Sequence, residues 1–347
     1  MSKSISAEFG IAQVRMESMA LANENHTIPD HLVPAAFKGF LESFQFTRLG
    51  LRAGRKIVRI VQKLGDPVQR KHWISRFCLP LRNALLLNRP LRVSFNGIPV
   101  FLVPQGAVAG DIWAGLRCGR HEVSFLLSVL EPGMIFFDVG TNAGLFAISA
   151  AKKIGGKGVF AFEPHSSARE LLKRNLLLNR LADVNVVQTA LGDSAGEGVL
   201  QIDARGKDDL NTPGQATRPD NKVAGQEGVR ITTVDDFMKD RDVPRVDVIK
   251  VDLQGAELML FRGARDLLAR ADAPLILYEG SGFRTRGFGY HPVEILWFLE
   301  SCGYALFLLN SETGEISELK PDYQYDSMVI GVKPGHAALP GWRARLK

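Results

Sequence analysis

Cysteine is scarce in this chain, and the few cysteines are widely separated. The 347 residues include three, Cys78, Cys118 and Cys302, and no two of them form a C-x-x-C pair. Disulfide frameworks and structural zinc sites need closely spaced or numerous cysteines. The scarcity argues against both, and it fits the reducing cytoplasm, which is the location that we predict.

Long apolar runs are also missing. No run approaches the roughly 20 apolar residues that a membrane-spanning helix needs. The first residues, MSKSISAEFGIAQVRMES, lack the basic-then-apolar order of a signal peptide. Hydrophobic residues make up 46% of the chain and charged residues 23%, which is ordinary for a globular protein. We therefore expect a large buried core.

Net positive charge is absent from most of the chain and concentrated in one segment. Residues 48–92 hold twelve lysines and arginines against one acid, a local +11; because the whole chain carries +6, the remaining residues sum to −5. Three roles stay open for this basic segment. It could be a solvated helical cap, it could contact an acidic membrane surface or a lipid-linked glycan precursor, or it could bind nucleic acid. No aromatic-rich strand accompanies it, so nucleic acid is the weakest of the three.

The apolar patterns divide the chain into three regions. We predict a basic helical region at residues 1–90, a main domain at 91–335 and a tail at 336–347. In the main domain the Asn96-Gly97 pair between two apolar runs indicates a hairpin. Helices are predicted at 121–130, 144–154, 166–179, 232–240, 256–271 and 292–303, and strands at 134–139, 158–164, 184–192, 246–253, 274–280, 304–310 and 327–333.

This alternation predicts an α/β fold, a doubly wound and mostly parallel sheet with helices on both faces. No full crossover helix separates the last two strands, so one of them should be antiparallel. The polar stretch 203–230 is predicted to be a long loop.

The stretch FFDVGTNAGLFAISAA, residues 136–151, carries the first functional signal. Asp138 ends an apolar strand, and Gly140 and Gly144 lead into a helix at the sheet edge where ligands bind. Glycines there let the backbone bend and let a ligand approach. The next strand ends in Glu163-Pro164, where an acid reaches the two hydroxyls of a ribose. The two strand ends together predict a ligand that contains a nucleoside.

The acid in front of the glycine turn narrows the kind of nucleoside. A dinucleotide site usually reads G-x-G-x-x-G, whereas this turn reads D-V-G-T-N-A-G. Asp138 would repel a pyrophosphate and would suit a positive amine, as in the methionine half of S-adenosylmethionine. A nicotinamide dehydrogenase is therefore the weaker interpretation.

Five stretches then occur in a fixed order: FFDVGTNAGLFAISAA, FAFEPHSSARELLKRNLLLN, TALGD, TTVDDF and VDVIKVDLQGAE. In this order, over about residues 93–331, the chain resembles FkbM-type methyltransferases. The resemblance implies a seven-stranded class I methyltransferase (Rossmann-like) fold, S-adenosylmethionine as methyl donor, and O-methylation, often of a sugar or natural-product hydroxyl. The cofactor-binding positions that it implies are Asp138, Gly140, Thr141, Asn142, Gly144, Glu163, Pro164, Leu191 and Asp252. The chain departs from the family at Gln254, where an acid is common, and in the 203–230 stretch.

The residues after the fourth main-domain strand also restrict the chemistry. VDLQGAE lacks the Asn/Asp-Pro-Pro-aromatic turn of enzymes that methylate amide or base nitrogens, and it lacks the Pro-Cys nucleophile of cytosine C5 enzymes. An alcohol oxygen needs alignment with the activated methyl group and a base that takes its proton. The candidate bases are Asp252, Glu279 and His291. Each has a plainer explanation, as a strand-end acid or a helix-start residue, and Glu257 fits an acid that offsets a helix dipole.

A metal-dependent mechanism is the competing hypothesis at the same strand ends. Asp252 and Glu279 could hold Mg²⁺, but residue 280 is glycine, so the neighbouring third oxygen ligand is missing. Mg²⁺ needs several oxygen ligands in octahedral geometry, and we predict no metal.

The predicted function is an S-adenosylmethionine-dependent O-methyltransferase with a small-molecule or glycan acceptor. The alternatives are an RNA or protein methyltransferase that uses the basic segment, and a non-catalytic S-adenosyl-binding scaffold. Intact Asp138, Glu163 and Asp252 favour the enzyme. The acceptor and the oligomeric state do not follow from the sequence.

Overall fold

The structure, a computed structural model, describes residues 90–103, 119–203, 212–213, 223–281, 285–319 and 326–336. Contacts divide the chain into two compact units, 1–95 with 101–116, and 96–100 with 117–347. Nearly all of the predicted N-terminal helical region and of the C-terminal tail lies outside the described residues, so the three-region division stays a prediction. Among the described residues, no helix is long and apolar enough to cross a bilayer.

The predicted hairpin is confirmed. Strands β1 (Leu91–Phe95) and β2 (Ile98–Leu102) form a two-stranded sheet. The two turn residues, Asn96 and Gly97, have φ angles of 48° and 82°. A tight hairpin turn of the I′ type needs positive φ at both positions, which explains the Asn-Gly pair.

An eight-stranded sheet forms the centre of the second unit. Its members are β3 (Phe136–Val139), β4 (Val159–Phe162), β5 (Asn185–Val187), β10 (Val248–Val251), β11 (Leu275–Ser281), β12 (Ala305–Leu309), β13 (Ile316–Glu318) and β14 (Asp326–Val332). They lie in the order β13-β12-β14-β11-β10-β3-β4-β5. Five neighbouring strands of this sheet are parallel: β11, β10, β3, β4 and β5. Strand β14 runs antiparallel to both β11 and β12.

This topology confirms the predicted α/β fold, a doubly wound and mostly parallel sheet, together with an antiparallel final strand. The strand that the prediction missed is β13. It pairs with β12 across only three residues at the edge of the sheet, so it leaves too short an apolar pattern to be recognised.

Seven α-helices connect these strands within the described residues. They are α1 (Arg120–Val129), α2 (Leu145–Ile154), α3 (Ser166–Leu178), α4 (Val234–Asp240), α5 (Glu257–Arg262), α6 (Arg265–Ala269) and α7 (Val293–Ser301). The prediction of one helix over 256–271 is wrong, because α5 and α6 are separate. The Asp235 carboxylate accepts hydrogen bonds from the backbone N–H groups of Asp266 and Leu267, at 2.9 and 3.0 Å. These contacts cap the start of α6 and stabilise the break.

A second sheet replaces part of the predicted long loop. Strands β6 (Ala190–Leu191), β7 (Gly196–Asp203), β8 (Thr212–Pro213) and β9 (Val223–Thr232) lie in the order β6-β9-β7-β8. The loop prediction is therefore wrong where residues 203–230 are described. The glycines and polar residues of VAGQEGVRIT hide a strand whose pairing comes from antiparallel contact with β7. The single strand predicted at 184–192 is wrong too, because β5 and β6 belong to different sheets.

The sheet order reverses between β3 and β10, and this reversal positions the site. The chain continues from β3 to β4 and β5 on one side, while β10 and β11 lie on the other. Ligands of doubly wound folds bind beyond the carboxyl ends of strands at such a reversal. Beneath it, the rings of Phe137 and Phe162 pack 5.1 Å apart, and the ring of Phe237 lies edge-on to both. This apolar packing holds the strand ends firmly in place.

Candidate functional site

The turn after β3 is held by hydrogen bonds to the neighbouring strand end. The N–H groups of Gly140 and Thr141 both donate to the carbonyl of Phe162 at 3.1 Å. The Thr141 hydroxyl donates to the Asp138 carbonyl at 2.6 Å. The turn is thus fixed against β4 before any ligand binds.

The two glycines of this turn are needed for packing within the chain. Gly140 and Gly144 have φ angles of 75° and 91°, which favour glycine. A Cβ atom on Gly140 would overlap the carbonyl of Asp252, and one on Gly144 would meet the Leu172 side chain. These glycines thus let β3, β10 and α3 approach one another, and their predicted role in ligand approach stays a prediction.

Glu163 lies at the end of β4 and faces the glycine turn. Its carboxylate accepts hydrogen bonds from the N–H of Asn142 at 2.8 Å and from the N–H of His165 at 2.9 Å. Asn142 has a φ of 49°, which turns its amide toward this acid. An ionised carboxylate has about four acceptor positions, so its oxygens can also accept from ribose hydroxyls. An acceptor at this place fits the ribose of the predicted cofactor, and the contact between Glu163 and the ribose stays a prediction.

Asp138 is fully buried, and the sequence analysis missed its main partner. One carboxylate oxygen accepts from the N–H of Ala147 in the first turn of α2 at 2.9 Å, and the other lies 3.7 Å from the Lys250 ammonium. Burial raises the pKa of Asp138, against the opposing pull of Lys250. The predicted contact of Asp138 with the cofactor's amine stays untested, and its burial favours a supporting role.

Lys250, on β10, is the residue that sequence reasoning overlooked. Its ammonium lies 3.5 Å from a carboxylate oxygen of Asp252 and 3.4 Å from the Gly140 carbonyl. Burial acts to lower the pKa of Lys250, but nearby carboxylates, led by Asp252, outweigh it and raise this pKa. A lysine inside an apolar strand was the available signal, because lysine is almost never fully buried without a partner.

Asp252 and Glu279 come together at the ends of β10 and β11, as the sequence predicted. The side-chain amide nitrogen of Gln254 donates to Asp252 at 2.7 Å and to Glu279 at 3.3 Å. Asp252 is a third exposed, which makes it reachable from solvent. Both acids therefore stand at the sheet edge next to the glycine turn.

Glu257 holds the backbone between β10 and α5. Its carboxylate accepts from the N–H groups of Leu253 and Gly255, at 3.1 and 3.0 Å. The Tyr290 hydroxyl donates to the Gly255 carbonyl at 2.5 Å. Burial is the main reason that the pKa of Glu257 rises to about 6. Its position at the start of α5 agrees with the predicted dipole role, and the loop contacts add a second one.

The third candidate base, His291, is exposed just before α7. Its Nδ1 atom accepts a hydrogen bond from the backbone N–H of Val293 at 3.3 Å. The backbone N–H of His291 donates to the Glu294 carboxylate at 2.8 Å. These contacts are those of a residue that begins a helix, which was its plainer explanation.

The two remaining cofactor candidates are Leu191 and Pro164. Leu191 is buried in β6. Pro164 borders a pocket of about 510 Å³, whose cationic lining residues are Arg169, Lys173, Arg230 and Arg241. The lining includes neither Asp252 nor Glu279, so the pocket lies beside the β4 end at Pro164 and not at the pair of acids.

Comparison with known proteins finds one family model and several relatives that match this chain. Residues 138–306 match the family described as the methyltransferase FkbM domain. The chain is 27% identical over 165 residues to the hexuronic acid methyltransferase AglP of Haloferax volcanii, a match that covers 46% of this chain and 62% of that protein. It is 28% identical over 210 residues to the 31-O-demethyl-FK506 methyltransferase FkbM of Streptomyces tacrolimicus, which covers 50% of this chain and 77% of that protein.

A shorter match reaches a different kind of methyltransferase. Over 94 residues the chain is 32% identical to the ribosomal protein L11 methyltransferase of Caldanaerobacter subterraneus, with 25% of this chain and 30% of that protein covered. The match to AglP itself spans about three fifths of that relative's length. Residues 138–306 thus match the FkbM methyltransferase domain, and the relatives that the chain resembles are named as methyltransferases.

Proposed function

We propose that this protein transfers a methyl group from S-adenosylmethionine to a hydroxyl of a saccharide or a secondary metabolite. Two relatives support this acceptor class by their names, one a hexuronic acid methyltransferase and the other a 31-O-demethyl-FK506 methyltransferase. The matching segment contains the glycine turn, the Glu163 strand end and the Asp252–Glu279 pair. The proposal thus rests on two things, the match to a methyltransferase domain and a pair of acids suited to a hydroxyl acceptor.

The observation that carries the proposal is the pair of acids beside the glycine turn. Asp252 and Glu279 share one hydrogen-bond donor, Gln254, at the carboxyl ends of neighbouring strands. A hydroxyl must lose its proton as it gains a methyl group, and a carboxylate within hydrogen-bond reach can accept that proton. Enzymes that methylate amide or base nitrogens commonly carry an Asn/Asp-Pro-Pro-aromatic turn at this place, and cytosine C5 enzymes need a Pro-Cys nucleophile; residues 251–257 lack both.

The two acids are not equivalent as bases. Asp252 accepts a 2.7 Å hydrogen bond from Gln254, and one of its carboxylate oxygens lies 3.5 Å from the Lys250 ammonium, so two donors already hold this side chain. The same amide nitrogen of Gln254 lies farther from Glu279, at 3.3 Å. We therefore assign the proton acceptor to Glu279 and the orientation of the methionine end to Asp252.

The residues of the turn supply alignment. S-adenosylmethionine supplies a methyl group that is already activated on a sulfonium, so most of the remaining work is positioning. Glu163 would hold the ribose, and Asn142 holds Glu163. Lys250 holds Asp252 and the Gly140 carbonyl in one arrangement.

A direct test is methyl transfer with labelled S-adenosylmethionine onto a panel of acceptors. The panel contains uronic acid oligosaccharides, polyketide alcohols, total RNA and ribosomal protein L11. We expect label on a hydroxyl compound, and a Glu279→Gln variant should be about 10²–10⁴-fold slower because it lacks the base. The His291→Gln variant serves as the matched control and should keep its rate. Label on RNA or on a protein nitrogen would contradict the proposal and favour the alternative that the L11 methyltransferase match suggests.

A further inference from the structure

The side chain of Gln254 occupies an unusual position between two acids. Its amide nitrogen is within hydrogen-bond distance of a carboxylate oxygen of Asp252 and of a carboxylate oxygen of Glu279, at 2.7 and 3.3 Å. An amide has two N–H donors on this nitrogen, so each acid can receive one. A single atom thus serves both carboxylates.

The chemistry of the carboxylates fixes the orientation of this amide. Ionised carboxylates only accept hydrogen bonds, so the nitrogen of Gln254 must face them and its oxygen must face away. The oxygen is buried and has no hydrogen-bond partner among the described residues. Turning the amide over would lose two charge-assisted hydrogen bonds and place an oxygen against two negative groups. The bridge therefore decides the orientation, although it leaves a buried acceptor unpaired.

The backbone of Gln254 is also specialised for this bridge. Its φ is 56°, a left-handed value that few residues other than glycine adopt. Glu257 and Tyr290 hold the next residues through their contacts with Gly255. The loop is thereby fixed in the shape that sends the side chain of residue 254 between the two strand ends.

A bridging donor between two carboxylates takes the position that a divalent cation takes in oxygen-rich sites. Mg²⁺ and Mn²⁺ favour carboxylate oxygens, and affinity rises with the number of charged ligands. The described residues contain no group of three His, Cys, Asp or Glu side chains suited to a metal. An acid at position 254 would make the third member of such a group, and glutamate has nearly the shape of glutamine.

From this geometry we infer that Gln254 is a specificity-determining residue, one that replaces a divalent cation between Asp252 and Glu279 and so makes the acceptor site metal-independent. Its amide pins the two carboxylates without the charge of a metal ion. Lys250 supplies the local positive charge, on the Asp252 side. The inference concerns the same edge of the sheet as the proposed methyl transfer, but it can be tested without an acceptor.

The experiment is a Mn²⁺ titration followed by electron paramagnetic resonance, in which the signal of free hydrated Mn²⁺ is lost on binding. The wild-type protein and the variants Gln254→Glu and Gln254→Glu/Glu279→Gln are compared. We expect Gln254→Glu to bind Mn²⁺ about tenfold or more tightly than the wild type, because three carboxylates then converge. The double variant should return to wild-type binding.

Far-ultraviolet circular dichroism reports whether each variant is folded, and calorimetry with S-adenosylhomocysteine is run beside it. If wild-type protein binds Mn²⁺ as tightly as Gln254→Glu, or if a folded Gln254→Glu gains nothing, the inference is overturned. Should Gln254→Glu fail to fold, Gln254→Ala decides: removal of the bridge should increase Mn²⁺ binding above wild type, and no increase overturns the inference. If the wild-type protein does not bind S-adenosylhomocysteine, that result contradicts the proposed function and leaves this inference standing.

Discussion

At the scale of single residues, the most informative one is Lys250. It joins the end of β3, through Asp138 and the Gly140 carbonyl, to the end of β10, through Asp252. The Asp138 contact is the energetically important one, because both side chains are almost wholly buried there, whereas Asp252 is a third exposed. A buried charge that loses its partner is far more costly than an exposed one.

Replacing Lys250 with Met should therefore lower the free energy of unfolding by about 3–5 kcal/mol, because Asp138 would be left buried without its partner. Urea unfolding followed by circular dichroism measures this change. The double variant Lys250→Met/Asp138→Asn should recover part of the loss, because the unpaired charge is gone. Stability of the single variant within about 0.5 kcal/mol of wild type, the range of ordinary surface changes, would contradict this account of the ion pair.

Glu163 provides the residue-scale prediction about the cofactor. Changing Glu163 to Ala removes a charged acceptor and should weaken S-adenosylhomocysteine binding by about 1–3 kcal/mol. Calorimetry on folded protein measures the difference. Glu170→Ala is the control, since Glu170 is an exposed acid on α3 that forms an ion pair with Lys173. Equal affinities for the Glu163 and Glu170 variants would remove Glu163 from the cofactor site.

At the scale of elements, the segment between β10 and α5 depends on the protonation of Glu257. The folded-state pKa of about 6 lies above the ordinary value of 4.5, so the native state binds this proton more tightly than the unfolded state does. The resulting stability is fully present below pH 4.5 and is lost as the pH rises through 6. A shift of this size corresponds to about 2 kcal/mol.

A Glu257→Gln variant should show a smaller decrease in unfolding free energy between pH 4.5 and pH 7 than the wild type, by about 2 kcal/mol, because glutamine does not titrate. Urea unfolding at the two pH values gives both numbers. Glu294→Gln, a change at a half-buried acid in the first turn of α7, is the control. An unchanged pH dependence in Glu257→Gln would assign the effect to another group.

Elements with strong local patterns were predictable from sequence, and those that depend on distant partners were not. The hairpin at Asn96-Gly97 and the strands that end at Asp138 and Glu163 follow from turn chemistry and apolar runs. The break between α5 and α6 depends on the Asp235 side chain, which comes from another helix. Strand β9 exists through its pairing with β7, a partner that its own polar sequence does not indicate.

The candidate site was predictable to the same degree. The acids at strand ends were identified because a parallel sheet brings its carboxyl ends to one edge. Their connections were not, because Lys250 looks like a strand residue and Gln254 like a departure from a motif. Only the register of β3 against β10, which places Lys250 opposite Asp138, reveals the network.

At the scale of the whole molecule, the sheet reversal between β3 and β10 unites these observations. Glu163, the glycine turn and the Asp252–Glu279 pair all follow the carboxyl ends of parallel strands around that point. A dinucleotide site and an S-adenosyl site both use this location in related folds. What distinguishes this site in sequence is the turn D-V-G-T-N-A-G, which stands where a dinucleotide site usually has G-x-G-x-x-G.

The most direct measurement of the central claim is therefore calorimetric titration of the full chain with S-adenosylhomocysteine, S-adenosylmethionine and NAD under identical conditions. We expect saturable binding of both S-adenosyl compounds at one site per chain, and no saturable binding of NAD. Binding of NAD together with no binding of either S-adenosyl compound would contradict the account.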